Sequence, residues 1–399
     1  MMNEDKKKNS RVVLAYSGGL DTTFCVEHLK ESGYEVVTAT VNTGGFSEDE
    51  MERIREKALK QGAVRHYGID AEKKIYDQII SYVIRLNALY EGDYPLMCAD
   101  RYVIAQEILE IAGKEGTDIV VHGSTAHGND QVRFDSAFYT LNNRIKVMSL
   151  IKDLNVTREE EIVYLENKGI AVNTSSRKYS INENVFGVTV SGSEIDADKE
   201  PTSEAYKLTV KKKDLKPQYI DIEFKNGLPV ALDGTAMNGL DMLKKLNTLV
   251  GAYGFGARMY TGDCIIGIKG HLLFEAPGLL TLIEAHRKLE QYTLTKKQLS
   301  FNNVAWECWT DLVYGGLYYE PVVSNIEAYA DSVQKRVNGH VKIKLEENKI
   351  TAVEIESRHS LIDESIATYA QQGSWDAKEA DGFIKLYSLQ QKIANSIEE

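Results

Sequence analysis

Strand-like and helix-like segments alternate along the first 170 residues, and that alternation leaves few folds open to the chain. Residues 11–16 (RVVLAY) form the short apolar run expected of a strand buried on both faces. The pattern predicts a helix over 22–32, stopped near Gly33, and a β-branched second strand over 34–42. Ser47 with Glu50 makes a capping box that opens a helix ending at Gly62, and Thr157 with Glu160 repeats it for a helix ending at Gly169. Residues 66–69, 117–122 and 145–150 read as three more strands, with helices expected over 72–90 and 102–115. Strands joined through helices need crossovers, so the expected architecture is α/β, a parallel doubly wound sheet covered on both faces.

The pattern changes after about residue 172. Five lysines (207, 211, 212, 213 and 216) mark a stretch expected to be a solvated, mobile connection. Residues 219–224 alternate apolar and polar and run into Asn226-Gly227, a hairpin signal. Residues 341–345 and 350–355 form a second hairpin, and helices are expected over 240–253, 279–292 and 326–338, which makes this half α+β. A terminal helix over 383–397 places Phe383, Leu386, Leu389, Ile393 and Ile397 near one face. Two readings stand for that face: packing against another subunit, or packing on its own chain. The expected division is 1–172, 173–360 and 361–399.

Composition narrows the function. Hydrophobic residues at 43% supply a large core, which excludes global disorder. A net charge of −12 argues against a protein that coats nucleic acid. Cys25, Cys98, Cys264 and Cys308 form no CxxC pair and no zinc spacing, as expected of free thiols in a reducing compartment. With no run of about 18 apolar residues and no signal-peptide core, the expectation is a cytoplasmic protein without a membrane partner. His28, His66, Trp306 and Trp309 are expected to pack rather than react.

The sharpest chemical signal is Ala15, Tyr16, Ser17, Gly18, Gly19, Leu20, Asp21, Thr22 and Thr23, between the first strand and the first helix. Paired glycines let the backbone turn tightly and approach a ligand. The helix then offers unpaired N–H groups and the positive end of its dipole to an anion. Neither GxxxxGK[ST] nor GxGxxG is present, and the loop holds no lysine. A second polar loop, residues 122–134 (HGSTAHGNDQVRF), follows the fourth strand. Ligands in open α/β sheets bind beyond the carboxyl ends of the strands, so both loops can face one crevice. Asn129 offers donor and acceptor, and Arg133 a fork for a carboxylate or carbonyl.

The SGGLD string resembles the pyrophosphate loop of the N-type ATP pyrophosphatases. Together with GNDQVRF it resembles the argininosuccinate synthase family, and Ala88-Leu89-Tyr90-Glu91, Tyr94, Tyr179 to Asn184, Ile266 to Lys269 and Glu275-Ala276-Pro277 extend the likeness along most of the chain. The resemblance implies a nucleotide-binding domain, a synthetase domain and an oligomerising C-terminal segment. It implies ATP as a substrate with Mg²⁺, citrulline and aspartate as the other substrates, and a homotetramer. It places Ala15 to Thr23, Val41 and Gly123 on ATP, and Thr125, Asn129 and Asp130 on aspartate. Tyr94, Asn129, Arg133, Ser180 and Thr189 fall on citrulline, and His127 near the site. No residue is assigned to a metal. The implied reaction adenylates the ureido oxygen of citrulline and then lets the aspartate amine displace AMP.

Three departures bear on the acceptor. Residues 95–101 (PLMCADR) replace the family's GTS-x-ARP, so its threonine and serine have no clear counterpart. Gly262 stands where the family has glutamate and Phe274 where it has tyrosine. These positions serve the amino-acid end of citrulline, and an N-acylated citrulline, whose amine carries no charge, would need no carboxylate there. Two further functions stand beside the ligase: a tRNA-modifying enzyme of the same superfamily, for which Cys98 would be the reactive thiol, and a non-catalytic nucleotide sensor.

Overall fold

A computed structural model describes residues 10–125, 128–170, 178–197, 199–368 and 372–397. Ala126 and His127 lie outside them. In the first half the strands are β1 (Arg11–Ala15), β2 (Glu35–Asn42), β3 (Arg65–Asp70), β4 (Ile119–His122) and β5 (Lys146–Ser149). All pair in parallel, in the order β3-β2-β1-β4-β5. The chain therefore starts at the centre of the sheet, winds out to one edge, and crosses back to the other side of β1. The helices are α1 (Leu20–Glu31), α2 (Glu48–Lys60), α3 (Glu72–Ile75), α4 (Ser81–Arg85), α5 (Asp100–Lys114), α6 (Asn129–Leu141), α7 (Leu150–Leu154) and α8 (Arg158–Asn167). Both capping boxes form: Ser47 with Glu50 starts α2, and Thr157 with Glu160 starts α8.

The alternation of β1 divides its neighbours. Val12 and Leu14 point into a cluster with Phe24, Leu29 and Leu165, under α1 and α8. Val13 points the other way, into a cluster that also holds Tyr102, Phe186, Trp309 and Val341. The second half thus packs on one face of the first sheet and shares its core.

The second half comprises β6 (Ser180–Asn184), β7 (Gly187–Ser191), β8 (Gln218–Lys225), β9 (Leu228–Leu232), β10 (Thr235–Ala236), α9 (Gly239–Gly251), β11 (Ala257–Asp263), β12 (Lys269–Glu275), α10 (Pro277–Thr293), α11 (Lys296–Tyr314), α12 (Pro321–Val333), β13 (Gly339–Glu346) and β14 (Lys349–Glu356). A short pair, β15 (Ala367–Thr368) and β16 (Gln372–Gly373), precedes α13 (Ala377–Tyr387) and α14 (Leu389–Ala394). Two antiparallel sheets form, β10-β9-β8-β13-β14 and β11-β12-β7-β6. Asn226 and Gly227 both take positive φ (51° and 74°), the left-handed conformation that closes the expected β8–β9 hairpin.

Several expectations are corrected. The helix expected over 72–90 ends at Arg85, with a π-helical segment (Tyr76–Ile80) between α3 and α4. Asn87 (φ 46°) and Glu91 (φ 53°) then reverse the chain, and Tyr90 bridges Tyr94. Helix α11 was not foreseen; Thr295 and Gln298 cap it, and it carries the buried Trp306 and Trp309. The terminal helix is two, parted at Ser388. The lysine-rich connection is not free along its length. Glu275, with no exposed surface, accepts from the backbone N–H groups of Lys207 (2.7 Å), Leu208 (3.1 Å) and Thr209 (2.7 Å). A buried carboxylate that collects several amides fixes the backbone that supplies them.

The halves are also joined through polar groups. His286 of α10 pairs with the Asn87 and Gln334 side chains at 2.8 Å each. Glu290, one turn on, accepts from the same two amides at 2.6 Å. Burial pushes Glu290 up to about 7 and His286 down to about 4, so it favours the uncharged form of each. No helix among the described residues is long and apolar enough to cross a membrane.

Candidate active site

Because β1 and β4 are neighbours, the loops that leave their carboxyl ends lie side by side. The first turns at Gly18, whose φ of +73° suits glycine. Helix α1 then begins at Gly19 with no side-chain cap, so its first-turn N–H groups keep their capacity for an anion. Ser17 is exposed, and its hydroxyl lies 3.3 Å from that of Thr22. Tyr16 points inward instead: its hydroxyl donates to Gln61 at 2.9 Å and its carbonyl accepts from Thr40 at 2.6 Å. The loop contains no lysine, but Lys57 of α2 reaches it, with Nζ 2.5 Å from the Gly18 carbonyl oxygen.

Asp21 sits in the first turn of α1, where the dipole favours an anion. Glu161 of α8, 2% exposed, lies close enough to feel the Asp21 charge. Burial, followed by the charge of Asp21, raises Glu161 to about 8. Near neutral pH Glu161 therefore favours its protonated form beside α1.

The second loop touches the first. A Cβ on Gly123 would stand 3.4 Å from the Asp21 Cβ and 3.5 Å from the Thr22 methyl. His122, buried at the end of β4, is fixed by Asp135 (2.9 Å) and Ser149 (3.0 Å). Thr125 is exposed at the mouth, and Gly128 opens α6. Asn129, Asp130 and Arg133 follow on its first two turns. Arg133 is 2% exposed; it donates from Nε to the Tyr314 carbonyl (3.1 Å) and from Nη1 to Asp130 (3.1 Å). Its Nη2 has no partner among the described residues, an orphaned buried donor suited to a ligand oxygen. Asn129 Oδ1 accepts from the Ile265 N–H at 2.9 Å, which ties the β11–β12 turn to this loop.

Tyr94, the Tyr90–Tyr94 turn and Thr189 complete the wall. Tyr94 stacks on Tyr260 (5.1 Å) and meets Phe274 (5.7 Å) and Tyr314 (6.2 Å) edge-on. Thr189 of β7 lies directly opposite Phe274 of β12. Ser180 is exposed at the start of β6, paired with Ser191, on the same strand face as Asn182 and Thr189. Val41 is buried near the end of β2. The structure thus brings together the described residues of both loops, Thr125 at their exposed side, with Tyr94; Thr189 joins them through Phe274, and Ser180 is exposed at the start of β6.

The residues that sequence reasoning missed are Lys57, Glu161, Arg101 and Tyr260. Arg101 and Asp100 fall in the departing 95–101 segment, which was the one available signal. Arg101 bonds Asp130 through Nε (3.1 Å) and Nη2 (2.8 Å). Burial disfavours the charged form of Asp130, but Arg101 and then Arg133 outweigh it and hold the carboxyl below its ordinary range. Tyr260 fills the gap left at Gly262: a Cβ there would fall 1.8 Å from the Tyr260 hydroxyl, which donates to Glu91 at 2.7 Å. Cys98 is buried and its thiol is pushed up by that burial, the opposite of what a sulfur-transferring thiolate requires.

The raised carboxyl of Glu161 has a consequence for stability. A carboxyl raised in the fold binds its proton more tightly there than in the unfolded chain, so stability falls as pH rises from the unfolded value of 4.5 through about 8, then levels off. Glu161→Gln should flatten that decline. Urea unfolding at pH 5, 6.5 and 8 checks this; equal slopes for wild type and variant would contradict it.

Comparison with known proteins places the chain. Residues 11–171 match the family described as the arginosuccinate synthase N-terminal HUP domain, and residues 179–394 match the arginosuccinate synthase C-terminal domain. An argininosuccinate synthase from Xanthomonas campestris pv. campestris is 41% identical over 95% of this chain and 96% of its own. One from Pyrococcus furiosus is 41% identical over 96% and 94%, and one from Sulfurisphaera tokodaii 40% identical over 98% and 100%. Two loops that meet at Gly123 and Asp21, on a parallel sheet followed by an antiparallel half, are carried by a chain that belongs to the argininosuccinate synthase family.

Proposed function

We propose that the protein ligates citrulline to aspartate, using ATP, and supplies argininosuccinate for arginine synthesis. The observation that carries the reading is the contact of the β1 and β4 loops, which sets an uncapped helix start beside the turn that bears Asn129, Asp130 and Arg133. The ureido oxygen attacks the α-phosphorus and pyrophosphate leaves. The aspartate amine then adds to the activated carbon, and AMP departs with the former ureido oxygen. No side chain forms a covalent bond; holding the reactants in line supplies much of the rate.

Ala15 to Thr23, with Val41 and Gly123, hold ATP. The amides of the loop and the Lys57 ammonium face the charge that builds on the departing pyrophosphate. Among the described residues no three metal-ligating side chains cluster, so Mg²⁺ would ride on the phosphates with Asp21 as a hard oxygen partner, neutralising their charge. Thr125, Asn129 and Asp130 hold aspartate. Asp130, kept ionised by two arginines, orients the substrate ammonium, which passes its proton to water or to a nucleotide phosphate oxygen before the amine adds. Tyr94, Asn129, Arg133, Ser180 and Thr189 hold citrulline, with the free Nη2 of Arg133 suited to the ureido oxygen.

A second reading, an N-acylated citrulline as acceptor, draws on Gly262. The Tyr260 hydroxyl occupies the space of a side chain there with the Glu91 carboxylate beside it, and Phe274 offers no hydroxyl. We further propose that the C-terminal segment joins subunits of a homotetramer. Phe383 (64% exposed), Leu386 (75%) and Ile393 (50%) stay largely uncovered among the described residues.

Turnover of citrulline, N-acetylcitrulline and N-succinylcitrulline, followed as pyrophosphate release with ATP and aspartate, tests the reaction. Citrulline should be used; no release with any of the three would refute the reading, and a kcat/KM at least tenfold higher for an N-acyl form would replace citrulline by that form. Lys57→Ala should raise the KM for ATP about tenfold (about 1.4 kcal/mol) while the citrulline KM stays within twofold; unchanged ATP kinetics would remove Lys57 from the site. Sedimentation of the wild type should give a tetramer and of Phe383→Glu/Leu386→Glu a smaller species; identical profiles would rule out the C-terminal contact.

A further inference from the structure

We infer that Arg101 is the residue that binds a carboxylate of the aspartate substrate, an inference that rests on the ligase reading and specifies one of its subsites. The 95–101 segment lacks the hydroxyls that the family places there: Cys98 and Ala99 carry none. Thr125, Asn129 and Asp130 carry no positive charge for the carboxylates of aspartate, and the structure sets the Arg101 guanidinium against Asp130. Arg101 is held from behind by Asp100, which accepts from Nη1 at 2.6 Å and is itself 1% exposed. Asn184 of β6 fixes that carboxylate in turn, donating to Asp100 Oδ2 at 2.9 Å and to the Met97 carbonyl at 2.8 Å. In front, the Nε and Nη2 edge of Arg101 faces Asp130, whose side chain is 37% exposed. That edge is the two-donor fork that matches a carboxylate.

Charge then dictates an exchange of partners. Two arginines and two aspartates balance in the free protein. Substrate aspartate brings one ammonium and two carboxylates. Its ammonium takes over Asp130, and the Arg101 edge that faced Asp130 passes to a substrate carboxylate. Arg133 is the poorer candidate, because its Nε is committed to the Tyr314 carbonyl and its side chain is 3% exposed against 14% for Arg101. Arg101 also fastens the amine donor's site to β6 of the second half through Asp100 and Asn184.

Steady-state kinetics of Arg101→Gln and Arg101→Lys test the assignment, together with inhibition by succinate, a dicarboxylate without the amine. In Arg101→Gln the KM for aspartate should rise at least tenfold, with the KM values for ATP and citrulline within twofold, and succinate should lose its competition with aspartate. Arg101→Lys, which keeps the charge without the fork, should fall between. An unchanged aspartate KM, or KM values for all three substrates rising together with unchanged succinate inhibition, would overturn the assignment. If Arg101→Gln fails to fold, the Arg101→Lys values decide by the same criteria. Failure of the wild type to join citrulline and aspartate would instead refute the ligase reading itself.

Discussion

The pairing of β1 with β4 is the constraint on which the rest depends. The sheet is wound outward from β1 in two directions, and the loops at that reversal have no crossover helix between them. Their contact at Gly123 and Asp21 follows from backbone topology before any side chain is considered. One loop supplies a helix start with unspent N–H groups; the other supplies Asn129, Asp130 and Arg133 within the first two turns of α6. Reactants held in the same cleft need no side-chain nucleophile.

The second half completes the walls of that cleft. Its hairpin β6–β7 anchors Asp100 through Asn184, its β11–β12 turn is held by Asn129, and the end of α11 lays Tyr314 against Arg133 and Tyr90. Glu275 shows the same economy at one remove. It fixes residues 207–209 by their amides and so brings the start of the lysine-rich connection back onto the structure. Arg101 and Arg133 are balanced by Asp100 and Asp130, as buried ions require, and Tyr260 with Glu91 fills the volume that Gly262 leaves.

Much of this was legible in the sequence because local chemistry and global fold agree there. The strand–helix alternation gave the order of elements, and the two capping boxes and the Asn226-Gly227 turn formed as read. The SGGLDTT loop was legible because paired glycines at a strand end have a strong local meaning. What was not legible depends on long-range placement. Lys57 looks like any lysine in the last turn of a surface helix until α2 lies beside the loop. Glu161 reads as one of three consecutive glutamates in a helix start, and only packing reveals that it is the buried one. Helix α11 escaped notice because its apolar residues are interrupted by Asn302, Asn303 and Glu307, and its place is set by partners such as the Tyr102 hydroxyl on the Val313 carbonyl.

The central claim is that the two loops present the ureido oxygen of the acceptor to the α-phosphorus of ATP. Labelling that oxygen with ¹⁸O and analysing the nucleotide product by mass spectrometry tests it most directly. The account predicts one ¹⁸O atom in the phosphate of AMP for each argininosuccinate formed. Unlabelled AMP, with the label retained in the acceptor-derived product or lost to water, would contradict it.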